Sequence, residues 1–240
     1  MVLGTDIISH LSFVCCRQSQ ENVTEKCLLC SKNVVKSLIC LFADGTFKCC
    51  PKYFSQLYTF HGFRNGHYIP LVFCLLSSKS GECYRKMFTL LQECCYWKFN
   101  LSLEIETIHL DLQERTHPVV REMFPDEVIK SCRFHLRQAW WRKIQSLGLA
   151  KEYKHYGSVI SKWPTHFFGL AFLEPSDVGN SFAEDLVPDM PDDKRIEQFS
   201  DYVLNTYIDD TTATFPTSTW SGVPSLVRRT NNGPEVFKKD

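Results

Sequence analysis

The order of strand-like and helix-like segments between residues 37 and 153 constrains the fold of this chain more than any other feature of its sequence. Strand-like runs occupy 37–42, 55–61 and 67–77, and the last two are joined by an Asn-Gly turn signal. A helix at 82–95, a strand at 104–110, a helix through 119–124 with Pro118 in its first turn, a strand at 127–134 and a helix at 135–153 follow. This alternation predicts an α/β chain with a mixed sheet and helices on its faces.

Asp44 stands just after the first apolar run, Leu38–Phe42, and its role has two interpretations. An Asp-Gly pair between two strand-like runs is a strong turn signal, because both residue types tolerate positive φ. This interpretation predicts a hairpin at Asp44-Gly45 that leads into a short strand at 46–50. In the other interpretation the carboxylate itself has a function.

A second acid, Asp111, follows the strand-like run at 104–110 in the same way. In a mixed sheet of this order the two strands can be neighbours, which would bring Asp44 and Asp111 together. Paired carboxylates repel unless a cation neutralises them, and hard oxygen ligands select Mg²⁺ or Mn²⁺. Two such ions about 4 Å apart can clamp both reacting oxygens of a phosphodiester. The alternative for Asp111 is a helix N-cap.

The cysteine content and the net charge limit the class of protein to which this chain can belong. The 240 residues include 12 cysteines, and no signal-peptide pattern precedes them, which predicts reduced thiols in an intracellular, non-secreted protein. No apolar run approaches the roughly 18 residues of a membrane span, so no membrane partner is expected. A formal net charge of zero means that any nucleic-acid-binding surface must be local.

A C-x-x-H motif, Cys132 to His135, lies at the predicted junction of a strand and a helix. A backbone bend there would let both side chains reach one zinc ion, but two ligands do not complete a structural site. The C-x-x-C of Cys27 and Cys30 could supply two more ligands. Packing of the thiol and a helix-start role for the imidazole are the open alternatives.

Basic side chains gather around the helix predicted at 135–153, namely Arg133, Arg137, Arg142 and Lys143. Contact with a DNA backbone is the functional interpretation of this cluster. The alternative is a solvated helix face, because no base-reading module accompanies it.

Four blocks of the sequence resemble the transposase domain of Mutator-like elements, the MULE transposase domain. The blocks are ADGTFKCCPKYFSQLYTFHG, YIPLVFCLLSSKSGECYRKMF, IHLDLQERTHPVVREMFPDEVIKSCRFHLRQAWWRKIQSLGL and, more weakly, RTNNGPEVF. The resemblance covers most of residues 37–240. It implies an RNase H-like fold, with a mixed five-stranded sheet flanked by helices and a helical insertion before the last catalytic helix.

The same resemblance implies a DDE-type site, with Asp44 as the first catalytic acid, Asp111 as the second and Glu235 as the third. Asp44 would bridge two Mg²⁺ or Mn²⁺ ions, and Asp111 and Glu235 would each hold one. The implied activity is cleavage of DNA by metal-activated water, followed by strand transfer by the freed 3′-hydroxyl. A nuclear location, DNA as partner and a homo-oligomer are further expectations.

The sequence also departs from the family pattern. Leu112 and Gln113 stand where the family usually has an aromatic residue and another acid, and the first 35 residues lack a recognisable DNA-binding module. Only five residues follow Glu235, although the resemblance places it on a helix that packs across the sheet. The chain is therefore interpreted as a fragment or domesticated descendant of a transposase. The alternative function is a catalytically inactive protein- or DNA-binding module derived from one.

The predicted organisation has four parts. Residues 1–35 are an atypical N-terminal segment, for which both an ordered and a disordered state are left open. Residues 36–155 form the RNase H-like core. Residues 156–224 form a helical insertion, and 225–240 are the truncated start of the last catalytic helix. For the alternative function, a protein-interaction surface is predicted from an aromatic block: Trp140, Trp141, Trp163, Phe167 and Phe168.

Overall fold

A six-stranded mixed sheet organises the N-terminal half of the chain. The computed structural model describes residues 13–16, 32–36, 38–46, 50–64, 67–154 and 159–223. The strands are β1 (Phe13–Cys16), β2 (Cys40–Thr46), β3 (Gln56–Arg64), β4 (His67–Leu76), β5 (Thr107–Leu110) and β6 (Val128–Ser131). Their order across the sheet is β1-β4-β3-β2-β5-β6. The α/β class and the five predicted strands are confirmed, and β1 adds a sixth strand at one edge.

Three of the strands form an antiparallel meander, as the sequence predicts. β2 pairs with β3, and β3 pairs with β4. β5 lies parallel to β2, on the edge of β2 that the meander leaves open. On the opposite side of the sheet β1 pairs in parallel with β4, with Phe13–Cys16 aligned to Phe73–Leu76. The β2–β5 pairing brings together two chain segments that are distant in sequence.

The predicted hairpin at Asp44-Gly45 is wrong. Both residues lie inside β2, where Asp44 pairs with Thr59 and Gly45 pairs with Tyr58 of β3. The pairing continues to Thr46, so the ladder of backbone hydrogen bonds with β3 holds the Asp-Gly pair extended. Tertiary pairing has overridden a local turn preference here. Of the predicted strand at 46–50, residues 47–49 lie outside the described residues.

Helices make up most of the remaining described structure. They are α1 (Lys32–Lys36), α2 (Gly81–Phe99), α3 (Thr116–Met123), α4 (Arg133–Ser146), α5 (Ala150–Lys154), α6 (Val159–Leu170), α7 (Val178–Ser181), α8 (Lys194–Val203) and α9 (Thr217–Trp220). Two π-helical turns, Phe182–Leu186 and Leu204–Ile208, follow α7 and α8. None of the helices in the described ranges combines the length and the apolar character needed to cross a bilayer.

Helix α2 packs against the sheet and begins at a well-formed cap. The hydroxyl of Ser80 accepts a hydrogen bond from the backbone N–H of Cys83 at 3.2 Å, which satisfies one of the open donors of the first turn. Apolar spacing predicts this helix, and Met87 and Leu91, four residues apart on one face, are buried. It ends at Asn100, whose φ of 52° is left-handed. The Ser80 cap fixes the start of α2, the part of the helix that carries Tyr84.

The predicted helix at 135–153 is two helices, α4 and α5. Gly148, with a φ of 75°, lies between them and supplies the left-handed conformation that ends a helix. Leu136, Trp140 and Ile144, spaced four residues apart along one face of α4, are buried. After the break the buried residue is Leu149.

Two compact units divide the described chain, one ending at Ile129 and one beginning at Lys130. The first has its core between the sheet and helices α2 and α3. In the second, Trp140, Trp163 and Phe167 are 0%, 2% and 0% exposed, so they are core residues. The predicted aromatic interaction surface is therefore wrong for these three. Their helical spacing turns them inward, where apolar burial and ring–ring contacts stabilise them.

The predicted organisation in four parts stays a prediction. Strand β1 lies within the segment predicted as atypical, 1–35. The boundary predicted at residue 155 falls inside the second unit rather than between the two units. Residues 225–240 lie outside the described residues.

Candidate metal centre

Two aspartates meet at the end of a pair of parallel strands. β2 and β5 are in register up to the pair Ala43 and Leu110. Asp44 directly follows Ala43, and Asp111 directly follows Leu110. Their side chains belong to buried residues, 6% and 5% exposed. Because β2 and β5 run in the same direction, these positions lie at the same edge of the sheet. The parallel pairing thus brings together two acids that are 67 positions apart in the sequence.

Asp111 is not a helix cap, which corrects the simpler interpretation of its role. Helix α3 begins at Thr116, and its N-cap is Arg115, which makes no side-chain capping bond. Instead, Oδ2 of Asp111 accepts hydrogen bonds from the backbone N–H of Gly45 at 3.3 Å and from Nε2 of Gln113 at 2.6 Å. The intervening loop places Asp111 too early in the chain to cap α3, and its carboxylate faces β2.

A glutamine and a tyrosine extend from Asp111 towards helix α2. The hydroxyl of Tyr84 hydrogen-bonds to Oε1 of Gln113, and it lies 2.9 Å from Oε1 of Gln56. With its amide oxygen facing a phenol, Gln113 directs its N–H at the carboxylate of Asp111, which only accepts hydrogen bonds. Tyr84 and Gln56 are 1% and 0% exposed, and Gln113 between Tyr84 and Asp111 is partly buried.

Both tyrosines near this site are held in the protonated form. Burial, and then the negative charge of Asp111, raise the pKa of Tyr84 above its usual value. The same two causes raise the pKa of Tyr58. Tyr84 therefore remains a hydrogen-bond donor throughout the physiological pH range.

A buried histidine contacts the main chain of Asp111. Nε2 of His117 lies 2.8 Å from the carbonyl oxygen of Asp111, and His117 is 0% exposed. Burial lowers the pKa of His117 from 6.5 to about 4, because the interior disfavours the charged imidazolium. The neutral ring donates its Nε2 proton to the carbonyl oxygen and so fixes the backbone at Asp111.

Gly45→Ala is expected to destabilise the first unit by about 1–3 kcal/mol, because the site has no room for a methyl group. A Cβ at this position would lie 1.6 Å from Nε2 of Gln56 and 2.4 Å from Nε2 of Gln113. Both amides contact Tyr84, so neither can move without disturbing a buried hydrogen bond. Urea unfolding followed by circular dichroism measures the loss.

The matched control is Gly81→Ala at the first residue of α2. There the added Cβ comes no closer than 3.6 Å to another residue, which is ordinary contact. Alanine is also a better helix former than glycine, so this variant should be neutral or stabilising. Equal losses at the two positions would contradict the close packing inferred at Gly45.

The C-x-x-H motif lies in the second unit. Cys132 is buried and precedes α4 with an extended backbone, and His135 sits in the first turn, where its ring meets Phe134 edge-on at 5.6 Å. Cys27 and Cys30 lie outside the described residues. Within the described ranges, no group of three or more His, Cys, Asp and Glu residues is arranged to hold a metal ion. The zinc site stays a prediction.

The basic residues of α4 do not share one direction. Three of them lie over aromatic rings of the second unit: Arg133 over Phe172 at 5.1 Å, Arg137 over Phe168 at 5.9 Å, and Lys143 over Tyr202 at 5.0 Å. Arg133 also donates to the carbonyl oxygen of Gly222. Arg142 is exposed. It lies two residues after buried Trp140, which places it on the opposite side of the helix, away from the core. Contact of these side chains with DNA stays a prediction.

A comparison with family models identifies the region that carries the two aspartates. Residues 40–139 match the model of the MULE transposase domain. These residues form a Mutator-like transposase domain. The match begins at the first residue of β2 and ends within α4, so it contains Asp44, Asp111, Gln113 and Tyr84. No curated protein and no solved structure matches the chain.

The third predicted acid of the transposase domain, Glu235, lies outside the described residues and beyond the matched span. Of the three predicted acids, the structure therefore describes and brings together Asp44 and Asp111. The role of Glu235 as a third ligand stays a prediction.

Sequence reasoning missed most of the residues that surround the two acids. Tyr84 and Gln56 belong to segments whose hydrophobic pattern predicts only α2 and β3. Gln113 is distinctive in the sequence only as a departure from the family pattern. Among these four residues, His117 is the one whose burial the local sequence pattern indicates. It lies three residues before buried Val120, on the inward face of α3.

Proposed function

We propose that the transposase domain binds Mg²⁺ or Mn²⁺ through Asp44 and Asp111, with Glu235 as the third ligand, and cleaves DNA. One observation carries the proposal, namely that two buried acids follow the same register position of neighbouring parallel strands. Two carboxylates brought together in a buried site repel each other, and a divalent cation relieves that repulsion. The match to the MULE transposase domain supports DNA as the substrate.

The donor set fits a hard cation. Carboxylate oxygens are the ligands that Mg²⁺ and Mn²⁺ select. Two neutral groups, the backbone N–H of Gly45 and the side-chain amide of Gln113, donate to the carboxylate of Asp111 and orient it.

The residues of the chain divide the work of such a site. Asp44 and Asp111 supply the charge that holds the ion, and the ion when bound supplies Lewis-acid activation of water and stabilisation of the phosphate. Neutral His117 holds the backbone of Asp111 in place. Protonated Tyr84 donates to Gln113, which in turn donates to Asp111. Strand transfer by the freed 3′-hydroxyl, a nuclear location and assembly as a homo-oligomer belong to the same proposal.

Mn²⁺ titration of the full chain by calorimetry tests the proposal. Asp44→Asn and Asp111→Asn should each weaken Mn²⁺ binding at least about tenfold, because the amide removes one of few charges at the site. Asp126→Asn, the same chemical change at an exposed loop position of the first unit, should keep wild-type affinity. If the wild-type chain does not bind Mn²⁺, or the Asn variants bind as well as it does, the proposal fails.

Incubation with supercoiled plasmid then separates binding from catalysis. Cation-dependent nicking that both Asn variants lose supports the nuclease. Mn²⁺ binding at Asp44 and Asp111 without nicking would instead favour the alternative function, an inactive binding module derived from a transposase.

A further inference from the structure

A continuous chain of contacts links helix α2 to the carboxylate of Asp111. The hydroxyl of Tyr84 meets Oε1 of Gln113, and Nε2 of the same amide donates to Oδ2 of Asp111 at 2.6 Å. Each contact fixes the next, because an amide offers its oxygen on one side and its N–H groups on the other. Rotation of Gln113 by half a turn would lose both bonds at once.

The Tyr84 end of this series of hydrogen bonds is held rigidly. Tyr84 sits in the first turn of α2, directly after the Ser80 cap, and is 1% exposed. Its ring packs against Tyr58 with centroids 5.8 Å apart, and its hydroxyl also lies 2.9 Å from Oε1 of Gln56. A buried hydroxyl held on several sides gives Gln113 a fixed reference point.

The hydrogen bonds to Asp111 favour one carboxylate oxygen. The Gly45 N–H at 3.3 Å and the Gln113 amide at 2.6 Å both reach Oδ2. Two donors converging on Oδ2 fix the plane of the Asp111 carboxylate.

We propose that Gln113 and Tyr84 are positioning residues that orient the Asp111 carboxylate for a divalent cation. This inference rests on the proposed function, since it assigns roles around the same ion. Gln113 acts on Asp111 directly, and Tyr84 acts through Gln113. Neither side chain needs to touch the cation.

The test is Mn²⁺ affinity measured by calorimetry on the folded full chain. Gln113→Met keeps the length of the side chain but removes its donor, and it should weaken binding about tenfold or more. Tyr84→Phe removes only the hydroxyl and should weaken binding in the same direction by about three- to tenfold. Unfolding curves for each variant establish that the titrated protein is native.

Two controls separate positioning from a general loss of structure. Tyr58→Phe removes a hydroxyl from the same buried core but has no contact with Gln113 among the described hydrogen bonds, so affinity should stay at the wild-type value. In the double variant Gln113→Met with Tyr84→Phe, the second change should add nothing to the first, because Tyr84 acts through Gln113.

The outcomes distinguish this inference from the proposed function. If Asp44→Asn abolishes Mn²⁺ binding but Gln113→Met and Tyr84→Phe bind normally, the site stands and the positioning role is refuted. If both variants lose stability without any change in affinity, their role is structural and the inference again fails. Absence of Mn²⁺ binding by the wild-type chain refutes the proposed function and the inference with it.

Discussion

Trp140→Ala is expected to lower the free energy of unfolding of the second compact unit by about 3–5 kcal/mol. The indole is fully buried and meets four other rings at centroid distances of 5.6–6.5 Å, those of Phe167, Phe168, Tyr207 and Trp220. Truncation would remove these contacts and leave a cavity, because close-packed surroundings relax only in part. Hydrogen exchange of amides in α4, α6 and α8 across a urea titration follows this unit separately from the sheet.

The neighbouring tryptophan provides the control. Trp141 is half-buried and its ring packs on Tyr153 at 5.2 Å, at the margin of the unit. Trp141→Ala should therefore cost only about 1 kcal/mol. If the two alanine variants unfold at the same urea concentration, the assignment of Trp140 to the centre of the core is wrong.

A fall in pH is expected to destabilise the first unit through His117 by about 3 kcal/mol. Burial lowers the pKa of His117 from 6.5 to about 4, so the folded unit resists protonation while the unfolded chain accepts a proton. The stability that neutral His117 contributes is complete above the unfolded pKa of 6.5. It is lost as the pH falls from there towards about 4, where the folded state is protonated as well.

Urea unfolding in the presence of EDTA at about pH 7.5 and about pH 4.5 measures this effect without a bound cation. His117→Gln, whose side chain does not titrate, should show a smaller loss of stability between the two pH values than the wild type. His67→Gln, at an exposed position of β4, should keep the wild-type dependence. A wild-type dependence in His117→Gln would show that other groups cause the acid sensitivity.

The strands and the first helices were predictable because their signals are local and repeated. β3 and β4 follow from two apolar runs around an Asn-Gly pair, and α2 follows from the spacing of Met87 and Leu91. The neighbouring positions of Asp44 and Asp111, each one residue past the parallel register of β2 and β5, were also predictable, since they need only the order of the strands. These features depend on periodicity and topology, which one sequence contains.

Features decided by competition between distant segments were not predictable. Asp44-Gly45 has the letters of a turn, but pairing with Thr59 and Tyr58 keeps it extended. The contacts of Tyr84 with Gln113 and Gln56 join three segments at single atoms, and no periodic pattern encodes such contacts. The ring contacts of Trp140 and Trp163 depend on how the helices of the second unit pack, which local spacing leaves open.

Strand β1 has a practical consequence for anyone who shortens this chain. It covers the outer edge of β4 over four residues, from Phe73 to Leu76. A fragment cut back to the start of the matched family region would strip that cover and leave a row of open amide and carbonyl groups on a long strand. Such an edge invites pairing with a second molecule, so poor solubility of the shortened protein would reflect the missing residues and not a flaw in the transposase domain.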